Sequence, residues 1–343
     1  MRLFFTAMLI LVALTGMAAN SNCVNPGDDD DDVSDDDTGD DDTVVDDDTV
    51  DDDTVDDDTG DDDTVGVDWP TCDDYADAIT SGNVADSGLD EISGIAVSAD
   101  NPGVLWMHND SGDGPFIYAL STGGDLIGTV QLSGVSAVDW EDMAIGPCGD
   151  DHPDVECLYI ADFGDNGASR TDVAIYRVPE PAVDPFTSFG TLAVSDFDKV
   201  PFAYPGGSHD AEALVVHPDG TVYVIDKDVA GIAGVYEFPE FEDGRFETLD
   251  YLGDLGDPEY IYATGADLHR NGDRLLVRTY TQAWEYRLPD GADFADVIDV
   301  TPSKVPRKLE AQSEAIAYDP ATGGYFHVSE GTTPPIYFFG CLE

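Results

Sequence analysis

Five segments of this chain repeat one pattern, and that repeat limits the possible fold more than any other feature. They are "EISGIAVSAD" (91–100), "DWEDMAIGP" (139–147), "HDAEALVVHPDG" (209–220), "YATGADLHRNG" (262–272) and "QSEAIAYDPATGG" (312–324). Aligned on Ser93, Glu141, Glu212, Thr264 and Glu314, they stand 48, 71, 52 and 50 residues apart. Each is followed by a turn and a second strand ("VLWMH", "CLYIA", "TVYVID", "RLLVRTY", "GYFHVS"), and then by a third ("FIYAL", "VAIYRV", "GVYEF", "AWEYRL", "IYFFG"). The strands are short, β-branched and aromatic, and are divided by Gly, Pro and Asp turns with almost no helical period. Units of about 50 residues with three visible strands and room for a fourth are the blades of a β-propeller. A β-sandwich is the other all-β architecture, but it gives no reason for the repeat. The sequence therefore predicts five four-stranded blades. The 71-residue spacing is too short to hide a sixth, so its surplus is assigned to the excursion "PEPAVDPFTSFG" (179–190).

The last unit stops after its third strand, so its outer strand must come from elsewhere. The segment "DAITSGNVADSG" (77–88), which precedes the first repeat, is the candidate. Closure of the ring in this way would bring Cys72 beside Cys341, and Cys148 and Cys157 would staple one hairpin across "GDDHPDVE". Cys23 is left over. Trp106, Trp140, Tyr159 and Trp284 are expected to pack between blades.

The N-terminus has a different character. Residues 1–19, "MRLFFTAMLILVALTGMAA", read as an export signal: one Arg, a short apolar run and a small-residue end. Residues 20–66 form a tether of repeated Asp triplets with no aromatic residue and no positive charge, which cannot bury a core. Cys23, between signal and tether, reads as a lipid attachment point, although the preceding "NSN" departs from the usual small-residue lipobox. The competing processing site follows Ala19 and gives a freely secreted chain. The expected location is thus the cell surface or periplasm as a lipoprotein, or the medium. Any membrane association would come only through the lipid.

Residues 67–343 make the propeller domain. From about Gly66 onward the chain holds 51 of the 74 Asp and Glu and 12 of the 13 Lys and Arg. Such an acidic surface excludes nucleic acid as a partner, since phosphate binding needs clustered basic residues. The expected partner is an extracellular or periplasmic ligand or protein, met by a monomer.

In a blade, the loop leaving the second strand lies beside the start of the first. The acidic, glycine-bent loops in "LWMHNDSGDGP" (105–115) and "YIADFGDNGASR" (159–170) should therefore share one mouth of the channel with the repeat-starting residues. Glu141, Glu212 and Glu314 occupy the same repeat position, and Asp139 and Asp210 lie two residues before two of them, on the same side of the strand. Asn109, Asp110, Asp162, Asp226, Lys227, Arg278 and Glu330 come from second-strand ends. So many carboxylates repel one another unless protonated, solvated, paired or bound to a cation. Calcium takes six to eight oxygens in irregular geometry, which suits a site built from separate strands. The expected ligands are Glu141, Glu212, Glu314, Asp162, Asn109 and Asp110. The loops are not EF-hands, because Leu120 and Val173 stand where the closing Glu would be.

Other chemistry has little support. Ser208, His209 and Asp210 are consecutive and cannot form a triad among themselves, and no nucleophile elbow is present. The six His are scattered, which argues against zinc.

The motifs "ISGIA…LWMHNDSGD", "DWEDMAIGP…LYIADFGDN", "HDAEALVV", "TGADL" and "SEAIAYDP" resemble a largely uncharacterised group of exported bacterial β-propeller proteins over about residues 88–340. That resemblance implies a propeller and brings no established activity. The plan is more distantly similar to gluconolactonase-like and phytase-like propellers, which hold divalent metal in the channel and hydrolyse esters. Neither ligand set maps onto this chain residue by residue. Two functions fit these residues. One is a surface-displayed binding module with calcium at the channel mouth. The other is a calcium-dependent hydrolase of an ester, lactone or phosphoester, with His209 as base and Lys227 and Arg278 holding an anionic group.

Overall fold

The computed structural model describes residues 68–149, 152, 155–227, 233–256 and 262–342. The export signal (1–19) and the whole of the expected tether (20–66), Cys23 included, lie outside the described residues. The described chain is an all-β propeller of five blades, each built on four antiparallel strands.

Blade 1 runs outward through Ile92–Val97, Val104–Asn109, Phe116–Ser121 and Leu126–Leu132. Blade 2 uses Trp140–Pro147, Glu156–Asp162, Ala174–Pro179 and Asp198–Ala203. Blade 3 uses Ala211–Val216, Val222–Asp226, Gly234–Glu237 and Asp250–Asp254. Blade 4 uses Ala263–Leu268, Arg274–Thr279, Ala283–Arg287 and Ser303–Lys304. Blade 5 uses Ser313–Tyr318, Tyr325–Ser329 and Pro335–Phe339, with Ile79–Asn83 as its outer strand. The N-terminal segment therefore closes the ring, with Ile79 opposite Phe338 and Asn83 opposite Pro335.

Each innermost strand packs against the next, and blade 5 returns to blade 1. The innermost strands are buried on both faces, so they read as near-continuous apolar runs rather than as alternation. The core is divided into wedges between neighbouring blades. Trp106 and Trp140 fill the wedge between blades 1 and 2, Tyr159 that between 2 and 3, and Trp284 that between 3 and 4.

Two blades gain a fifth strand from a neighbour. The excursion after Pro179 crosses to blade 1, where Thr191–Val194 adds in parallel to Leu126–Leu132. Asn101 holds it in place by donating to Glu180 Oε1 at 2.8 Å and accepting from Val183 N at 2.8 Å. Glu247–Thr248 of the blade 3 chain adds to blade 2 in the same way. Each addition covers a sheet edge that would otherwise be open to pairing.

Both expected disulfides are present, Cys72–Cys341 and Cys148–Cys157, each with Cα atoms 5.0 Å apart. The first is backed by a polar clamp. Glu285 Oε1 accepts from Tyr75 Oη at 2.5 Å and from Tyr318 Oη at 2.9 Å, while Arg274 donates to the Cys72 carbonyl at 2.6 Å. Closing a loop of this length stabilises by about 5 kcal/mol in the chain-entropy model. Replacing Cys72 and Cys341 by Ser should lower the unfolding free energy in urea by about that amount. A loss under about 1 kcal/mol would mean that strand pairing and the Glu285 clamp close the ring without the bond.

Candidate functional site

The aligned repeat position has a backbone cause that the pattern alone does not reveal. In every blade the pairing of the first and second strands slips at this point. The slips lie between Ile92 and Gly94, Trp140 and Asp142, Ala211 and Ala213, Ala263 and Gly265, and Ser313 and Ile316. Ser93, Glu141, Glu212, Thr264 and Glu314 lie within these β-bulges. A bulge leaves one residue out of the ladder and re-aims its side chain.

The five residues then divide by chemistry. Ser93 Oγ donates to the Glu141 carbonyl and Thr264 Oγ1 to the Ser313 carbonyl at 2.7 Å, each linking an inner strand to the next blade. The three Glu side chains are buried and press on one another electrostatically. Glu141, Asp139 and Asp110 bring ligand oxygens within 4.8 Å of one another, a grouping that could hold a metal ion. Glu212 is ion-paired to Lys227 through Oε1, while its Oε2 is buried with no hydrogen-bond partner. Lys227 Nζ also lies 2.9 Å from Tyr280 Oη.

Protonation follows from this crowding. Burial, then Glu212 and the neighbouring aspartates, hold Glu141 well above the usual carboxylate range. Burial and the Glu212 charge push Glu314 up to about 8. Burial carries Glu212 to about 7 even though Lys227 opposes the shift. Asp139 is raised to about 6 by burial and by Asp110. Added positive charge would favour the ionised form of each of these groups.

The expected site residues thus fall into distinct places. Glu141, Glu212, Glu314 and Asp110 belong to one acidic mouth, together with Asp139 and Asp210. Asn109 and Asp162, from the second-strand ends, organise their own loops. Asn109 donates to the Gly88 carbonyl at 2.7 Å and accepts from Glu91 N. Asp162 accepts from Asp139 N at 3.1 Å and pairs with Arg170 at 2.8 Å. Arg278 is fully buried on the blade 4 second strand, where it donates to the Lys308 carbonyl at 3.1 Å and lies 3.5 Å from Glu310. Burial lowers its pKa to about 10. His209 is one-third exposed, and its Nδ1 lies 2.9 Å from Asp226 Oδ2.

The glycine-bent loops also have a physical reason. Gly164 N donates to the Asp139 carbonyl at 3.2 Å, so this loop passes directly over the acidic cluster. A Cβ on Gly164 would collide with Glu141 Oε1 and come within 2.7 Å of Asp139 Oδ2. The one interruption in the alternating oxygen side chains of "DFGDNG" is therefore the point of closest approach. Arg170 and Tyr280 are the functional neighbours that the sequence reading missed. Tyr280 follows the second strand as Asp110 and Lys227 do, which was a usable signal, whereas nothing in the pattern marks Arg170 as the partner of Asp162.

No protein-family model and no curated protein matches this chain. Among solved structures, the PQQ-bound form of aldose sugar dehydrogenase from Streptomyces coelicolor is similar, with a TM-score of 0.42 and 13% identity, covering 77% of this chain and 97% of that chain. Cofactor and substrate belong to that protein, and the propeller described above stands on this chain's own strand order.

Proposed function

We propose that the acidic mouth is a calcium site and that the propeller is an exported binding module that presents this mouth to a ligand or partner outside the cytoplasm. The observation that carries the reading is the buried, unpartnered Oε2 of Glu212, set in a group of carboxylates whose only paired cation among the described residues is Lys227. A hard cation would offer these oxygens the positive charge that no side chain beyond Lys227 supplies among the described residues. Glu141, Glu212, Glu314, Asp139 and Asp110 would hold it.

Export rests on the N-terminal signal, and it agrees with two disulfides, which persist in oxidising compartments. No helix among the described residues is long and apolar enough to cross a membrane. The Asp-rich tether, with a lipid at Cys23, would make the module a surface lipoprotein related to the exported propeller group named above. Cys23→Ser would then move the protein from the membrane fraction to the soluble one.

The test of the metal reading is calcium titration of the full chain beside Glu141→Gln/Glu314→Gln. The Asp tract is identical in both, so its loose binding cancels. One tight calcium per chain should be lost in the variant, together with the calcium-dependent rise in Tm. Equal titrations would overturn the reading.

The second reading, a calcium-dependent hydrolase, is favoured by the His209–Asp226 pair on the same rim. A bound metal would polarise a carbonyl or phosphoryl oxygen, and His209 would accept the proton of the attacking water. Turnover in an ester, lactone and phosphoester screen that disappears in His209→Ala would select this reading over binding alone.

A further inference from the structure

Beside the mouth lies a cavity of about 300 Å³, lined in part by His209, that the calcium-binding reading does not use. It is formed where the blade 2 loop 165–173, the end of Asp198–Ala203 and the link 204–209 into blade 3 meet, and Phe246 closes its outer side. Ser208 Oγ donates to the Arg170 carbonyl at 2.8 Å and ties two of these walls together. We infer that this cavity binds a small uncharged aromatic molecule bearing a hydroxyl group.

The walls set the shape and polarity of the ligand. Val173, Phe202 and Tyr204 are buried and give an apolar, mostly aromatic lining, while Phe246 is 58% exposed at the entrance. A cavity of about 150 Å³ accepts a benzene ring, so this volume takes one ring and its substituent. Aromatic walls favour an aromatic guest through edge-to-face and offset contacts.

The charges set the rest. Arg170 lines the cavity but is already matched: Asp162 at 2.8 Å, the Gly164 carbonyl at 2.8 Å and Asp172 at 3.1 Å take its guanidinium. Asp165 also lines the cavity, and Asp226 stands behind His209, so an anionic guest is repelled. The Asp165 carboxylate accepts from Ser169 N and Arg170 N at 2.6 Å each, both through Oδ2, which ties it to its own loop, and the Arg170 charge beside it opposes a cationic guest.

His209 supplies the polar contact. Asp226 accepts from Gly234 N at 2.7 Å and Tyr236 Oη at 2.9 Å, so it acts as an acceptor and takes the His209 Nδ1 proton as well. That fixes the tautomer and leaves Nε2 as the acceptor for a ligand hydroxyl. The ring is braced against Tyr204 and Tyr236, with centroids 5.0 and 5.4 Å away.

The probe is benzyl alcohol, titrated against the full chain by NMR in the presence of chelator, so that the calcium reading plays no part. Binding should be saturable, and benzoate should bind at least tenfold more weakly. Thr171→Trp, an exposed substitution at the rim, should fill the cavity and weaken benzyl alcohol at least tenfold. His209→Phe keeps the ring but removes Nε2, and should weaken it about fivefold, the value of one hydrogen bond. If Thr171→Trp does not fold, Phe246→Ala serves in its place and should also weaken binding. Glu141→Gln/Glu314→Gln should leave the affinity unchanged. Benzoate binding as tightly as the alcohol, benzylamine binding more than tenfold tighter, or rim variants without effect would each overturn the assignment.

Discussion

Asp142→Ala is expected to abolish the native ring rather than merely weaken it. Asp142 is completely buried, and its two oxygens accept three backbone N–H groups from three different blades. Met143 N in blade 2 donates to Oδ1 at 2.9 Å, while Leu214 N in blade 3 and Ala266 N in blade 4 donate to Oδ2 at 2.9 and 3.2 Å. Alanine leaves all three donors buried without an acceptor. At about 1–3 kcal/mol for each orphaned group, the loss is on the order of 3–9 kcal/mol, comparable to the whole stability of a typical domain. Asp142→Asn keeps one oxygen that can serve Leu214 and Ala266, and the cost is confined to Met143 N, which then faces the amide NH2 without an acceptor. The two variants should therefore separate clearly in urea denaturation, with Asn folded and Ala unfolded or nearly so. Equal stabilities would show that Asp142 fills space at the centre and does not join the blades.

The same residue shows how far the sequence could be read. The repeat alignment places Gly94, Asp142, Ala213, Gly265 and Ala315 one after the aligned position, four small residues and one carboxylate. A Cβ on Gly94 would come within 2.9 Å of Met143 N, and one on Gly265 within 2.7 Å of the Glu314 carbonyl. The inner strands converge so closely that only one blade carries a side chain larger than a methyl group there. The pattern was visible, but its meaning needed the ring.

Blade number, closure by residues 77–88 and both disulfides were legible because repeats and cysteines act through covalent order. The bulges were not. A register slip depends on pairing with a second strand, and no period in "WEDMAIGP" announces it. The parallel edge strands were hidden for the same reason: Thr191–Val194 is stabilised by pairing with Leu126–Leu132 of blade 1, far away in the chain. At the mouth, residue type distinguished Glu141, Glu212 and Glu314 from Ser93 and Thr264, but could not separate Asp110 from Asn109. One faces the carboxylate cluster and the other ties down a loop, a difference of a single step along the strand end.

In chelator, the protein is expected to lose thermal stability steadily as pH rises from about 5 to 8.5, and calcium should restore it at the alkaline end. Glu212 and Glu314 titrate near 7 and 8 when folded, and Glu141 is also raised, mainly because burial disfavours the charged form. In the unfolded chain all three lose their protons near pH 4–4.5. Between these limits the folded state holds more protons than the unfolded state, so stability is fully present below the unfolded value and falls as pH rises through the folded ones. Calcium reverses the balance by favouring the ionised carboxylates, and its binding releases protons. At pH 5 it competes with protons and should shift Tm little, whereas at pH 8 the shift should be large. Asp142, Asp267 and Glu310 are also raised by burial and contribute to the same slope. The mouth is isolated by comparing the full chain with Glu141→Gln/Glu314→Gln, which should flatten the chelated curve and abolish the calcium response together. A chelated Tm independent of pH across this window would mean that the three glutamates are already ionised and balanced by Lys227, and the case for a cation between them would go with it.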